Sequence, residues 1–357
     1  MIRIEPREKI SNRSTVLIPI IAAVVSLLFA AIPLLAAGAN PFVAYVEMAK
    51  GVFGSVFAIS EMLTRATPLI YTGLAAAIAF RAKLWNIGAE GQLYLGAIAA
   101  VTVGSGFFDL PAVLLLPLII VLGGCAGAVG MAAPTYLKVR FGADEVVTTL
   151  LLNFIIIIFL QMLLEGPLQD PMGLGWPQSA PILDQGMFPP LIDRMRVHSG
   201  LILAVLLTVI AHFIIKYSVW GFKLRAVGEN SAAAKHAGIN INRSLFGVAL
   251  LSGGLAGLAG VSEVAGLKGY LTADLSPGFG YAGIVVAMLA GLSPLGVLIA
   301  SVFIASVFVG ADSMSRAMGI SSFLADLVVS VSLLCVLVGG FISKFKIVRA
   351  GTGKRVK

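Results

Sequence analysis

Ten apolar stretches joined by mostly short polar connections are the feature that most constrains this chain. They run Val16 to Ala37, Ala66 to Phe80, Ile87 to Val103, Leu114 to Tyr136, Val146 to Leu164, Leu201 to Ile215, Leu245 to Leu267, Ile284 to Leu292, Leu295 to Gly310 and Ile320 to Ile342. A hydrocarbon layer about 30 Å thick needs roughly 20 apolar residues in a helix rising 1.5 Å each. Most of these stretches meet that length, while the second and eighth are too short to cross unless flanking residues join them. Of the 357 residues, 59% are hydrophobic and only 12% charged, whereas about 25% are charged in ordinary globular chains. Such an apolar excess faces lipid, which excludes a cytosolic enzyme, a secreted disulfide scaffold and a disordered chain. The expected fold is an all-α polytopic membrane protein of about ten transmembrane helices, some of them broken or short.

The net charge of +8 could point to nucleic acid, but the basic residues sit in loops between apolar runs. With ten crossings, nineteen of the 25 Lys and Arg residues fall on the side of the termini, and six (Lys50, Arg65, Arg194, Arg196, Lys268 and Arg316) on the other. Positive charge concentrates on the cytoplasmic side of membrane proteins, so both termini are expected there and no nucleic-acid role is expected. The apolar part of the first 37 residues is about 20 long, beyond the roughly 7–15 of a secretory signal, and reads as an uncleaved first helix. The expected organisation is a cytoplasmic tail over 1–15, a transmembrane domain over 16–342 and a basic cytoplasmic tail over 343–357. An amphipathic piece, Gly51 to Arg65, lies in the outer stretch after the first span. The outer loop 165–200 carries six prolines and reads as an irregular cap.

The cytoplasmic loop 216–244 holds Asn230-Ser231-Ala232-Ala233-Ala234-Lys235-His236-Ala237-Gly238. Asn230 or Ser231 can cap a helix, the alanines favour one, and Gly238 suits a left-handed stop. A short stiff helix there is what a membrane subunit needs if a soluble motor pushes on it; the residues alone leave an ordinary connecting loop equally open. Gly123 and Gly127, like Gly253 and Gly257, stand four apart and predict close helix packing. Gly278-Phe279-Gly280-Tyr281-Ala282-Gly283 has the lettering of a dinucleotide loop. It follows no soluble strand, so it marks a broken helix rather than a cofactor site. Asn86 to Gln92 is a second polar, glycine-rich start to a span, and two interrupted segments in corresponding halves point to a transport path. Glu145, Thr149 and Asn153 recur every four residues along one helical face that cannot favour lipid. The candidate path residues are therefore Asn86, Glu90, Gln92, Thr149 and Asn153.

Neither a catalytic constellation nor metal-ligand spacing arises among His198, His212 and His236. The nearest imitation of a phosphate loop, Gly353-Lys354, is followed by Arg355, so the chain is expected to bind no cofactor, and any driving energy comes from elsewhere.

Asn86-Ile87-Gly88-Ala89-Glu90-Gly91-Gln92, Gly142-Ala143-Asp144-Glu145-Val146-Val147-Thr148-Thr149 through Asn153, and Arg225-Ala226-Val227-Gly228-Glu229-Asn230 through Asn240 resemble the membrane permeases of bacterial ATP-binding cassette importers for nucleosides and simple sugars. The likeness extends from about Pro68 to Gly339 and is greatest for the nucleoside branch, with ribose-type and branched-chain amino-acid permeases in the wider group. The resemblance implies a multi-pass subunit of the bacterial inner membrane with no enzymatic activity of its own. It implies a second homologous permease, commonly a different chain, two cytoplasmic ATP-binding subunits that use ATP and magnesium, and an extracytoplasmic substrate-binding lipoprotein. Ser231 to Gly238, with Asn230 before it, then becomes the coupling helix: Asn230, Ser231, Ala232, Ala233, Ala234, Lys235, His236 and Gly238. Importers usually carry Glu-Ala-Ala there, and Ala232 stands where the Glu would be. An ion-coupled carrier, the reading from another class, should bury ionisable residues near mid-membrane; the candidates here lie mostly near helix ends.

Overall fold

The computed structural model describes residues 2–6, 12–106 and 111–349. The basic tail beyond Arg349 and the tail residues 7–11 lie outside the described residues. Helix dominates: α1 (Asn12–Ala36), α2 (Pro41–Phe53), α3 (Val56–Arg81), α4 (Ala89–Gly104), α5 (Ala112–Phe141), α6 (Glu145–Leu164), α7 (Gly200–Tyr217), α8 (Val219–Glu229), α9 (Ser231–His236), α10 (Ile241–Glu263), α11 (Phe279–Leu289), α12 (Pro294–Met318) and α13 (Ser322–Lys344). Among the described residues the only sheet is a two-stranded antiparallel ribbon, β1 (Ile2–Pro6) with β2 (Phe345–Arg349), in register Ile2 to Arg349.

Every expected stretch lies on a helix, but the count of spans differs. Among the described residues, seven helices are long and apolar enough to cross a membrane, or eight if the pair Val24–Ala36 and Pro41–Phe53, bent by 117°, is one span. The shortfall is α4 and α11, whose 16 and 11 residues rise only about 24 and 16 Å at 1.5 Å per residue. The second stretch is longer than expected because α3 begins at Val56. Ser55 caps it by accepting from the Ala58 N–H at 3.0 Å. Within it Thr64 and Thr67 return their hydroxyls to the carbonyls of Ser60 and Leu63, so polar residues that read as an amphipathic outer piece continue the helix.

The chain divides into two compact units, 1–51 with 310–357, and 52–309. In the first, α1 lies along α13, and the Tyr45 hydroxyl donates to the Leu27 carbonyl. In the second, α3 and α10 form the interior. Of the apolar window of α3, 89% is buried, against 22% for α6; α6 turns Ile155, Ile158 and Met162 outward, the face that lipid covers.

Glycine sets how closely these helices approach. An added Cβ at Gly257 would overlap the Gly123 carbonyl oxygen, and one at Gly253 the Gly127 carbonyl oxygen. The two glycine pairs legible in the sequence thus pack on each other, and Gly96 of α4 meets Gly257 from another side. Gly278-Phe279-Gly280-Tyr281-Ala282-Gly283 resolves into packing too. Gly278, at φ +91°, starts α11, Gly280 rests on the backbone at Ala89 and Glu90, and Gly283 rests on Thr72.

Candidate functional site

The five candidate path residues come together in one buried polar network. Asn86, Gln92, Thr149 and Asn153 are at most 1% exposed and Glu90 is 4% exposed. Asn86 ends the short connection before α4. Its Nδ2 donates to Gln92 Oε1 at 2.8 Å and to Ser252 Oγ at 2.9 Å, while its Oδ1 accepts from Gln92 Nε2 at 2.9 Å and from the Gly88 N–H at 3.0 Å. Ser252, on α10, passes its own proton to the Ala75 carbonyl of α3 at 2.8 Å.

The stripe on α6 faces this cluster. Asp144 caps α6 through the Val146 N–H, which fixes the rotation that points Thr149 and Asn153 at α4. Thr149 Oγ1 accepts from the Ile87 N–H at 3.3 Å. Asn153 Oδ1 accepts from the Gly91 N–H at 2.9 Å, and its Nδ2 donates to the Ile87 carbonyl at 3.0 Å and the Tyr281 hydroxyl at 3.2 Å. Glu90 Oε2 accepts from the Gly280 N–H at 2.6 Å, tying α4 to the start of α11. Glu145 pairs with Lys138 and accepts from the Trp85 N–H. Ser252 and Tyr281 are the members sequence reasoning missed: a serine in a glycine-rich helix and a tyrosine at a helix start carry no distinctive spacing. Polar groups this deep are stable because each finds a partner, and the network fixes α4, α6, α10 and α11 to one another.

The loop 216–244 forms the expected helix. Asn230 is its cap, accepting from the Ala233 N–H at 3.0 Å. Gly238, at φ +80°, closes it with its N–H on the Lys235 carbonyl, while the Ile239 N–H bonds the Ala234 carbonyl. Only Ala234 of α9 is buried; Ser231, Ala232, Ala233, Lys235, His236 and Gly238 are exposed. The helix before it is anchored. Leu224 and Val227 of α8 are buried, Gly228 presses on the Arg81 carbonyl, and Arg225 donates to the Ile215 carbonyl. An exposed helix is therefore held on a fixed base.

The segment 165–199 is irregular but stitched down. The Ser179 N–H donates to the Leu271 carbonyl, Ile182 to Gly269 and Phe188 to Ala265, which docks this cap on a π-helical turn, Val264–Lys268, that continues α10. His198 of the cap is 2% exposed, and neither ring nitrogen has a partner. Its ring stacks on Phe188 with centroids 5.7 Å apart.

Burial with no acceptor for a proton holds the His198 imidazole down at about 4, so it is neutral in the folded chain at ordinary pH. The unfolded imidazole, near 6.5, takes a proton first as pH falls. The stabilisation is complete above pH 6.5 and is lost as pH falls from there to about 4. The melting temperature of the purified chain in detergent is expected to fall relative to that of His198→Phe across that window; the same pH slope in wild type and variant would refute the assignment.

Residues 58–337 match the family model described as the branched-chain amino acid transport system permease component. The chain is 33% identical over 356 residues to the glucose ABC transporter permease protein TsgB13 of Haloferax volcanii, covering 97% of this chain and 93% of that one. It is 35% identical to the guanosine ABC transporter permease protein NupP of Bacillus subtilis, over 92% and 94% of the two chains. It is 34% identical to the nucleoside ABC transporter permease protein NupB of Lactococcus lactis, over 84% and 85%. The same two bacteria each contribute a second, more distant permease to the matches. With the family model matching across most of its length and relatives at this identity, the chain belongs to the branched-chain amino acid transport system permease component family.

Proposed function

We propose that this chain is the membrane permease subunit of an ATP-driven importer that moves nucleosides or related simple sugars across the bacterial inner membrane, with ATP hydrolysed in separate partner chains. The observation that carries the reading is likeness along nearly the whole chain to a guanosine and a glucose ABC permease, and the exposed, rigidly based α9 supports it. The partners proposed are a second homologous permease, two ATP-binding subunits beneath the pair and an extracytoplasmic substrate-binding lipoprotein. The occurrence of two distinct permeases in each of two bacteria favours a pair of different chains. The chain itself binds no cofactor on this reading; ATP and magnesium are used by the partners.

Force enters at Asn230 to Gly238. Closure of the ATP-binding pair shifts α9, α8 moves with it, and Gly228 against Arg81 passes the displacement to the end of α3. A shift of this kind does work only if the solute contacts the two states differently. The proposed path runs beside Asn86, Glu90, Gln92, Thr149 and Asn153: Asn86 and Gln92 hold each other, while Glu90, Thr149 and Asn153 hold the backbone of the segments around them. They act as positioning residues for the helices that border the path.

Substrate-stimulated ATP hydrolysis by the reconstituted complex, measured with guanosine, adenosine, glucose, ribose and leucine, tests the reading. Stimulation by the nucleosides or sugars is expected. A response to leucine alone would move the chain to the branched-chain amino-acid branch, and solute uptake without any ATP-binding subunit would overturn the importer.

A further inference from the structure

A cavity of about 620 Å³ lies in the unit 52–309, between Arg65 of α3, the cap and the π-helical turn. Its volume falls in the range of small-molecule sites, roughly 300–1,000 Å³. Two separate features converge on it. The first is His198, which borders the cavity while its two nitrogens lack partners. A buried polar atom without a partner costs stability, and a same-shaped apolar ring would avoid the cost. The ring is also held in place: Phe188 stacks on one side, and on the other an added Cβ at Gly266 would overlap it. The second is the π-helical turn itself, which supplies Gly266 and Lys268 to the wall. Such turns within helices concentrate at functional sites.

The lining defines the chemistry of an occupant. Arg196 is paired with Glu61 at 3.4 Å and Lys268 with Asp274 at 3.7 Å, so the cations at the rim are largely balanced and no bare anion is called for. A neutral imidazole offers one donor and one acceptor, the pairing that a hydroxyl or a heterocyclic amide edge answers. Phe188 and Tyr270 add flat aromatic surface. A neutral ring compound bearing hydroxyls satisfies all of these together.

We propose that this cavity under the cap is a receiving site for the transported solute, a neutral hydroxyl-bearing ring compound of nucleoside or sugar type, occupied before the solute enters the path. The assignment rests on the importer reading above.

The complete transporter in nanodiscs, without its binding protein, is titrated with tritiated guanosine and with glucose, as wild type, His198→Phe and Tyr270→Leu. Losing one hydrogen bond corresponds to about two- to tenfold weaker binding. That loss is expected for guanosine or glucose with His198→Phe, at an unchanged or higher melting temperature. Should His198→Phe fail to fold, Tyr270→Leu, at an exposed position, is expected to weaken binding likewise. Equal affinity in wild type and a folded variant, or no binding of either solute to wild type, overturns the receiving site. If guanosine nevertheless stimulates ATP hydrolysis in the full complex, only the cavity assignment falls; if no nucleoside or sugar does, the importer reading falls with it.

Discussion

Deleting Ala232 to Ala237 is expected to abolish guanosine uptake while the chain still reaches the membrane at normal levels. The two halves of that outcome have separate physical grounds. Insertion and folding depend on the spans and on α8, whose Leu224 and Val227 are buried and whose Gly228 sits against Arg81. Of the six residues removed, only Ala234 is buried, so little packing is lost. On the proposed importer reading, transport needs a rigid contact for the ATP-binding subunits, and α9 is the exposed helix between two anchored ones. Gly238→Pro reaches the same end with a single substitution. Gly238 sits at φ +80°, which proline cannot adopt, and its N–H caps the Lys235 carbonyl. Ala237 before it, at φ −78° and ψ 9°, lacks the extended ψ that a residue preceding proline favours. Uptake of labelled guanosine by cells, with membrane-fraction immunoblots as the insertion control, checks both; normal uptake by the deletion variant would remove the coupling role.

The fold was legible in the sequence where a single segment carries its own signal. Apolar length marked ten of the helices, Asn230 and Gly238 marked α9, and the four-residue recurrence of Glu145, Thr149 and Asn153 marked the face of α6 that turns away from lipid. What stayed hidden depends on pairs of segments. Nothing local joins Asn86 to Ser252, 166 residues apart, because serine is common in helices and its partner is chosen by how α4 and α10 pack. The start of α3 was misread for a related reason. Gly51 to Arg65 read as a separate amphipathic piece, whereas α3 starts within it, Arg196 of the cap reaches Glu61 and Arg65 borders the cavity beneath that cap. The docking of the cap runs largely through backbone hydrogen bonds, which leave no trace in residue type. The π-helical turn and the isolation of His198 follow from that docking and were equally invisible. The site that sequence patterns singled out is thus the network between α4 and α6, while the cavity emerges only in three dimensions.

Gly257→Val is expected to prevent a stable fold, and Gly124→Ala, made at the residue next to Gly123 of the same contact, is expected to be harmless. In isolation both changes favour a helix, since alanine outranks glycine by about 1 kcal/mol and valine also exceeds it. The surroundings decide the sign. At Gly257 an added carbon would overlap the carbonyl oxygen of Gly123 and crowd the backbone of Gly127. Those atoms belong to the α5 backbone and cannot rotate away as a side chain would, so α5 and α10 must separate. Overpacking of this kind typically costs about 1–3 kcal/mol, more where backbone must move. Separation would also loosen the neighbouring contacts, Gly253 on Gly127 and Gly96 on Gly257, because close approach is what gives helices in lipid their dispersion contacts. At Gly124 the nearest atom to an added carbon is Leu258 Cδ2 at 3.6 Å, an ordinary contact, and the helix gain remains. Fluorescence-detected size exclusion with a thermal ramp should show Gly257→Val aggregated or strongly destabilised and Gly124→Ala at or above the wild-type midpoint. A monodisperse Gly257→Val with an unshifted midpoint would mean that the α5–α10 contact does not hold the unit together.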